Sequence, residues 1–404
     1  MALIVQKYGG SSLATPELIK RVASHIVQEK QKGYDMVVVV SAIGETTDQL
    51  VELSRQITRN PSKREMDMLL SVGERISIAL LAMAIQELGQ DAISFTGSQV
   101  GIITDNQHTE ARILEVRANR LLEELRKGKV VIVAGFQGVS INKEITTLGR
   151  GGSDTTAIAL AAALNADRCE IMKDVDGIFM AEPRLIPEVR LNKEVSYDEL
   201  IEMTHMGAGV LKTESVEIAK KYQISVAVGS SFTGRTGTIV SNRSLESSGV
   251  TAIVGEKKLV LFRVRSRSRE VAAALLRHIG ENRIKLFTQH LENHTLSLVV
   301  RSENSAELET VLNRFLESEE DYELSILHDL GMVAIIGRGL NLNSELANRL
   351  VSAIFSGVDE LPWLEISQLR ISFLCPEQKT DELVKQFYRD FVLAEEAEEN
   401  FNED

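Results

Sequence analysis

Cysteine is nearly absent from the chain: Cys169 and Cys375 stand far apart among 404 residues. Such a pair builds no disulfide framework and no zinc set, and a reducing, cytoplasmic location suits it. The seven histidines are scattered, so no metal-ligand cluster is expected. A basic surplus is also missing. The formal net charge of -13 argues against a general nucleic-acid binder. No apolar run approaches the roughly 20 residues of a membrane span. The opening MALIVQKYGG lacks the basic flank and long apolar core of a signal peptide, so neither membrane nor export is expected. Two catalytic signatures do not occur. Without G-x-x-x-x-G-K-[ST] a standard P-loop is unlooked for, and without G-x-S-x-G a serine nucleophile on its sharp turn is too.

What is present is globular material. Hydrophobic residues make up 44% and charged residues 25% of the chain, which at this length predicts two or three domains. Residues 2–7 read as a buried strand, and a helix over 16–32 has Ile19, Val22, Ile26 and Val27 at helical spacing. Residues 36–40 are wholly apolar and β-rich, as in a central parallel strand. Helices near 49–57 and 65–88 follow, then strands at 92–95, 130–134, 167–173 and 226–228. This β-loop-α rhythm predicts an open, mainly parallel sheet between helical layers, with ligands above the strand ends. Around 240–250 the chain turns polar, which places a boundary between a domain at 1–245 and a second region at 250–404. There a βαββα pattern occurs twice, at about 250–328 and 329–404, predicting two small α+β units stacked sheet to sheet. They carry no catalytic constellation, so binding or oligomerisation is their expected task. The acidic tail, 395–404, is expected to fray.

The loops hold the chemistry. LGRGGSDTTA at 148–157 puts Arg150, a glycine pair, Ser153 and Asp154 immediately before a helical run. Glycines can turn N–H groups toward an anion, and a helix start adds partial positive charge there. A capped helix after a tight turn would read the same way. KYGGSS at 7–12 sets Lys7 at the end of the first strand, where it can neutralise charge on a transferring phosphoryl group. SAIGETTD at 41–48 repeats the strand, hydroxyl and glycine theme, and DVDGIF at 174–179 offers two carboxylates around Gly177. Several anion-cradling loops without a Walker lysine point to phosphoryl transfer on another scaffold.

In order, KYGGSS, SAIGETTDQL, VGERIS, TGSQVGIITD, GFQG, TTLGRGGSDTTA, KDVDGIFMAEPRL and SYDELIEMTHMGAGVL resemble the aspartate kinases of the amino acid kinase fold. The resemblance covers about 3–240, and the tandem units beyond it are more loosely similar to the paired ACT domains of that family. It implies a three-layer αβα sandwich followed by two ferredoxin-like units. It implies transfer of the γ-phosphate of ATP to the side-chain carboxylate of L-aspartate, with Mg²⁺ carried in by the nucleotide rather than gripped by the protein. Lys7 and Asp154 would be catalytic. Ser41, Thr47, Glu74, Arg150, Gly151 and Ser153 would hold the substrate, Glu74 at its α-amino group and Arg150 at a carboxylate. Lys7, Gly9, Gly10, Ser11, Lys173, Asp174, Gly177, Phe179 and Arg184 would serve the nucleotide, with Gly44 in the phosphate cradle. Lysine or threonine as effector and a homodimer or higher homo-oligomer are implied as well. The alternatives are a kinase of the same fold acting on glutamate or N-acetylglutamate, and a non-catalytic amino-acid sensor.

The chain departs from the family pattern on the nucleotide side. Lys173 stands where threonine is usual, Phe179 and Met180 where tyrosine and threonine are, Gly209 for a lysine, Lys212-Thr213 for His-Pro, and Gly229 for an arginine. A remodelled adenine pocket is expected, with Lys173 or Lys212 supplying the displaced charge. The effector loops depart too, reading RSRSRE at 265–270 and LNLNSE at 340–345, and FSGVDELPWLEIS carries Trp363.

Overall fold

The computed structural model describes residues 2–242, 249–266, 269–317, 322–340 and 343–394. Most of the polar boundary stretch, the acidic tail and the middle of both effector loops lie outside the described residues. The chain divides into two compact units. The first comprises 1–179, 191–204 and 209–244, and the second takes 180–190, 205–208 and 245–404. The second unit thus draws two short segments from within the region expected to form the first.

The first unit begins with β1 (Leu3–Tyr8), α1 (Pro16–Gln31) and β2 (Asp35–Val40). Thr15 caps α1 by accepting the Leu18 N–H, and Pro16 stands at its first turn, where no N–H is needed. Next come α2 (Thr46–Ile57), α3 (Lys63–Leu70) and α4 (Val72–Glu87). The single long helix expected over 65–88 is divided at Ser71, whose carbonyl accepts the Gln137 side-chain amide at 2.9 Å. Taken together, Lys63–Glu87 is long and apolar enough to cross a membrane by composition, with mean hydropathy 1.8 in its most apolar window. Half of that window is buried inside the protein, as in a core helix of a layered domain. The expectation that no apolar run approaches such a length is corrected to that extent.

The unit continues with β3 (Ala92–Phe95), β4 (Ile102–Thr104), β5 (Ile113–Val116), α5 (Asn119–Arg126), β6 (Val130–Ala134), β7 (Gln137–Ser140) and β8 (Ile145–Thr147). It closes with α6 (Gly152–Leu164), β9 (Arg168–Lys173), β10 (Glu194–Ser196), α7 (Tyr197–His205), α8 (Thr213–Tyr222), β11 (Val226–Ser230) and β12 (Thr236–Ser241). The main sheet has eight strands in the order β10-β12-β11-β9-β1-β2-β6-β3, parallel except where β11 meets β12. Its centre, β2 and β6, is built of buried β-branched residues, as a strand covered on both faces requires. One face packs Ile4, Tyr8, Val38 and Ile132 against Ile26 of α1 and Leu81 of α4. The other carries α6, which is apolar nearly all round and almost wholly buried. Strand alternation therefore turns Val5 and Lys7 toward α6. A second, four-stranded sheet, β5-β4-β7-β8, runs through residues that the sequence presents as loops.

The second unit contains β13 (Gly249–Ser266), α9 (Arg269–Glu281), β14 (Thr288–Glu292), β15 (Thr295–Arg301) and α10 (Ser302–Leu316). It ends with β16 (Tyr322–Arg338), α11 (Ser344–Gly357), β17 (Leu364–Ile366), β18 (Arg370–Pro376) and α12 (Thr380–Tyr388). In place of two separate stacked sheets there is one hydrogen-bonded sheet, β14-β15-β13-β16-β18-β17. The long strands β13 and β16 pair antiparallel along their length, with register shifts between Glu256 and Leu261. The second half takes residues 249–256 of β13 as a strand beside residues 332–338, and the expected division at 328/329 falls inside β16. Val260, Phe262 and Val264 pack under α9 and α10, while Phe373 and Phe387 meet with ring centroids 5.7 Å apart in the other half.

Candidate functional site

Four neighbouring strands of the first unit, β9, β1, β2 and β6, end on one edge of the main sheet, and α6 begins above them. Lys7, the penultimate residue of β1, is 7% exposed, and its Nζ lies 2.7 Å from Asp154 Oδ1 in the first turn of α6. Lys173, the last residue of β9, approaches Asp154 Oδ2 at 3.7 Å and also donates to the Val210 carbonyl. One buried carboxylate is thus shared by two ammonium groups. Burial works to raise its pKa, but Lys7 and Lys173 outweigh burial and hold it below the usual carboxylate value. Burial lowers the pKa of Lys173, against the pull of Asp154.

The loops are stitched to one another. Gly10 lies so close to the second loop that a Cβ there would meet the Ala42 carbonyl oxygen at 2.6 Å, and the Gly44 N–H donates to the Gly10 carbonyl at 3.0 Å. Ser41, just past β2, donates its hydroxyl to Ser153 Oγ at 3.0 Å. Gly151, left-handed at φ 73°, lets the chain reverse into α6 so that Ser153 and Asp154 come down over the strand ends. Ser11 of the expected set is exposed; its neighbour Ser12 is the buried hydroxyl, donating to Ser231 Oγ at 2.7 Å.

Glu74 opens α4 at 2% exposure, with one oxygen accepting the Ala42 N–H at 3.1 Å and Oε2 buried without a partner. Burial pushes its pKa up to about 7, against two backbone hydrogen bonds that favour the carboxylate. A buried oxygen of this kind is suited to a cationic group brought by a ligand. Arg150 differs in being 98% exposed, with its nearest anion, Asp48 Oδ1, at 3.7 Å. Thr47 lies half-buried at the start of α2.

The remaining nucleotide-side candidates are more dispersed. Asp174 is exposed just beyond β9, Gly177 is buried, and Phe179 bridges to Leu191. Arg184 belongs to the second unit. Lys212, beside α8, donates to the Leu148 carbonyl at 3.0 Å, so it holds the turn before α6. Three site features escaped sequence reading: Ser12, the antiparallel β7–β8 pair that delivers the LGRGG turn, and the buried Asp67 behind it. Asp67 alone left a signal, as an acid within an apolar helical pattern.

The profile of the Amino acid kinase family matches residues 2–230. The chain is 42% identical to the aspartokinase of Geobacillus stearothermophilus, over 98% of this chain and 99% of that one. It is 38% identical to aspartokinase 2 of Bacillus subtilis, over 98% of each. The chain belongs to the aspartokinase family. In fold it matches Escherichia coli aspartokinase III, solved in complex with aspartate and ADP, with a TM-score of 0.83 and 23% identity over 96% of this chain and 99% of that one. This family membership carries the α/β fold with it, and the site lies where an α/β sheet offers its strand ends.

Proposed function

We infer that the protein is an ATP-dependent aspartate kinase, converting L-aspartate and ATP to 4-phospho-L-aspartate and ADP. The observation that carries the reading is the shared Lys7–Asp154–Lys173 cluster, with the unpartnered Glu74 Oε2 on the far side of the Ser41–Ala42 loop that bonds both Glu74 and Ser153. The acceptor carboxylate is ionised at neutral pH, so the reaction needs no general base. An oxygen of that carboxylate forms the new bond to the γ-phosphorus while the bond to the β–γ bridging oxygen breaks, and its electron pair leaves on ADP. Lys7 stabilises charge on the phosphoryl oxygens, and Asp154 holds Lys7 and Lys173 in place between reactions. Gly9, Gly10, Ser11 and Gly44 form the phosphate cradle, and Asp174, Gly177 and Phe179 serve the nucleotide. Glu74 receives the α-ammonium of L-aspartate and Arg150 a carboxylate, with Ser41, Thr47, Gly151 and Ser153 around it.

Lys173 supports the nucleotide side of the reading: a second cation faces the cluster where the family has a neutral residue. A donor set of two lysines and one already paired carboxylate suits polyphosphate rather than a protein-held metal. Mg²⁺ therefore belongs on the nucleotide, where it neutralises phosphate oxygens. In the second unit, Arg263, Arg265, His290, Trp363 and Glu365 line a cavity of about 500 Å³ that supports an amino-acid effector, lysine or threonine. A homodimer and a cytoplasmic location complete the proposal, the latter supported by the buried free thiols Cys169 and Cys375.

Hydroxylamine trapping of the acyl phosphate, with ATP, Mg²⁺ and L-aspartate, is the direct test. Hydroxamate that falls steeply in Arg150→Ala at the L-aspartate level that serves the unaltered protein, and recovers as L-aspartate is raised, is the expected result. Product with L-glutamate alone would move the substrate assignment, and amino-acid binding without any product would make the protein a sensor.

A further inference from the structure

Behind the LGRGG turn lies a carboxylate that the phosphoryl-transfer scheme does not use. Asp67, on α3, has no exposed surface. Its Oδ1 accepts the Thr147 hydroxyl at 2.6 Å, and the Thr109 N–H reaches both oxygens at 3.0 and 3.2 Å. His108 Nδ1 lies 2.6 Å from Oδ2. One helix side chain thereby grips two separate segments, the loop around 108–110 and the end of β8.

Both segments abut the turn that bears Arg150. The Thr147 carbonyl accepts the Ala111 N–H at 2.9 Å, which ties the two to each other. The next residue, Leu148, is fixed at both backbone groups: its N–H donates to Phe136 and its carbonyl accepts Lys212 Nζ. The Thr109 carbonyl oxygen lies 3.3 Å from where a Cβ of residue 149 would stand, so the 108–110 loop walls the turn. Two residues beyond this clamped base, the Arg150 side chain is almost fully in solvent. The base of the arm is clamped by these hydrogen bonds, and its exposed tip has Asp48 Oδ1 at 3.7 Å. A guanidinium finds a carboxylate in two-point geometry only if its Cα is held in place, since the side chain itself supplies no anchor.

We propose that Asp67 is a positioning residue for the acceptor site. Through Thr147 and the 108–110 loop it sets where Arg150 stands, and so the affinity for the acceptor carboxylate, without touching substrate. The proposal rests on the reading of Arg150 as a carboxylate ligand.

The test is steady-state kinetics on the full-length chain for Thr147→Val, Thr147→Ser, Asp67→Ala, Arg150→Ala and the Thr147→Val/Arg150→Ala pair, each with a thermal melt. Thr147→Val keeps the size of the side chain and removes only the donor, so it guards against a failure of Asp67→Ala to fold. The expected result is a rise of about tenfold or more in KM for L-aspartate in Thr147→Val, with KM for ATP within about twofold and Thr147→Ser behaving as wild type. In the Arg150→Ala background, Thr147→Val has no further effect on KM for L-aspartate. The proposal is overturned if both KM values rise together, if KM for L-aspartate is unmoved, if Thr147→Ser fails like Thr147→Val, or if the Thr147→Val effect survives without Arg150. An Arg150→Ala variant with unchanged KM for L-aspartate would instead refute the carboxylate-ligand reading itself, and the positioning role with it.

Discussion

If Glu74 receives the substrate α-ammonium, as proposed, its burial makes substrate binding depend on a proton. Glu74 is 2% exposed, one oxygen takes the Ala42 N–H and the other has no partner. Burial lifts its pKa to about 7, which corresponds to roughly 3 kcal/mol against ionisation inside the fold. An α-ammonium beside Oε2 favours the carboxylate, so binding of L-aspartate below about pH 7 must expel the proton held there. Only about a tenth of the unliganded sites are ionised at about pH 6, and nearly all are at about pH 8. Apparent Kd for L-aspartate should therefore rise about tenfold from about pH 8 to about pH 6. Calorimetry in two buffers of different ionisation enthalpy should record close to one proton released at the lower pH and almost none at the higher. Glu74→Gln should bind more weakly and lose both dependences. The unliganded fold should respond in the opposite sense. A carboxyl whose folded pKa is raised stabilises the protein when protonated, fully below its unfolded value and less as pH passes through about 7. Saturating L-aspartate should cancel that loss. A flat Kd between these pH values, or an equal slope in Glu74→Gln, would refute the argument.

Other perturbations address the same edge of the sheet. Lys7→Met should lower kcat by about 10²–10³-fold with the fold retained, because Lys173 still faces Asp154; a kcat within about threefold of wild type would remove Lys7 from the chemistry. Lys173→Thr should raise KM for ATP or lower kcat by about tenfold while KM for L-aspartate stays constant, and a change confined to L-aspartate would contradict its placement on the nucleotide side. Gly10→Ala forces a Cβ to 2.6 Å from the Ala42 carbonyl oxygen, so ATP binding by calorimetry should fall sharply; unchanged binding would show that the two loops separate easily. Ile132→Ala, in the fully buried β6, should cost about 2–5 kcal/mol by denaturant melts without altering KM for either substrate.

The main sheet was legible because its strands are short, apolar on both faces and separated by helices with a clear apolar stripe. Residues 36–40 and 130–134 could be little else. The β5-β4-β7-β8 sheet was not, since strands of three or four residues with mixed burial carry too little alternation to stand out from loops. The join in the second unit was hidden for a different reason. Two repeats, each with its own apolar pattern, look alike whether their strands close separate sheets or run on into one another. Only the antiparallel pairing of β13 with β16 along their length decides it.

At the site, the residues that declared themselves are those whose chemistry is unusual where they stand: a lysine ending an apolar strand, or an arginine between glycines. Those that stayed hidden are ordinary polar side chains given meaning by partners distant in sequence, as Ser12 is by Ser231 and Asp67 by Thr147. Lys173 lies between these cases. Its type marks a departure from the family, but its consequence depends on strand order. Only because β9 lies next to β1 does the end of one strand bring a second ammonium to the carboxylate already held by the first. Lys173 thus brings a second ammonium to the buried carboxylate, with the exposed Asp174 beside it as a further acid. On the proposed reading, that second ammonium favours a site holding polyphosphate. The same substitution on a strand elsewhere in the sheet would be a buried lysine without a use. Here, on the proposed reading, it is a cation for the phosphates of the nucleotide.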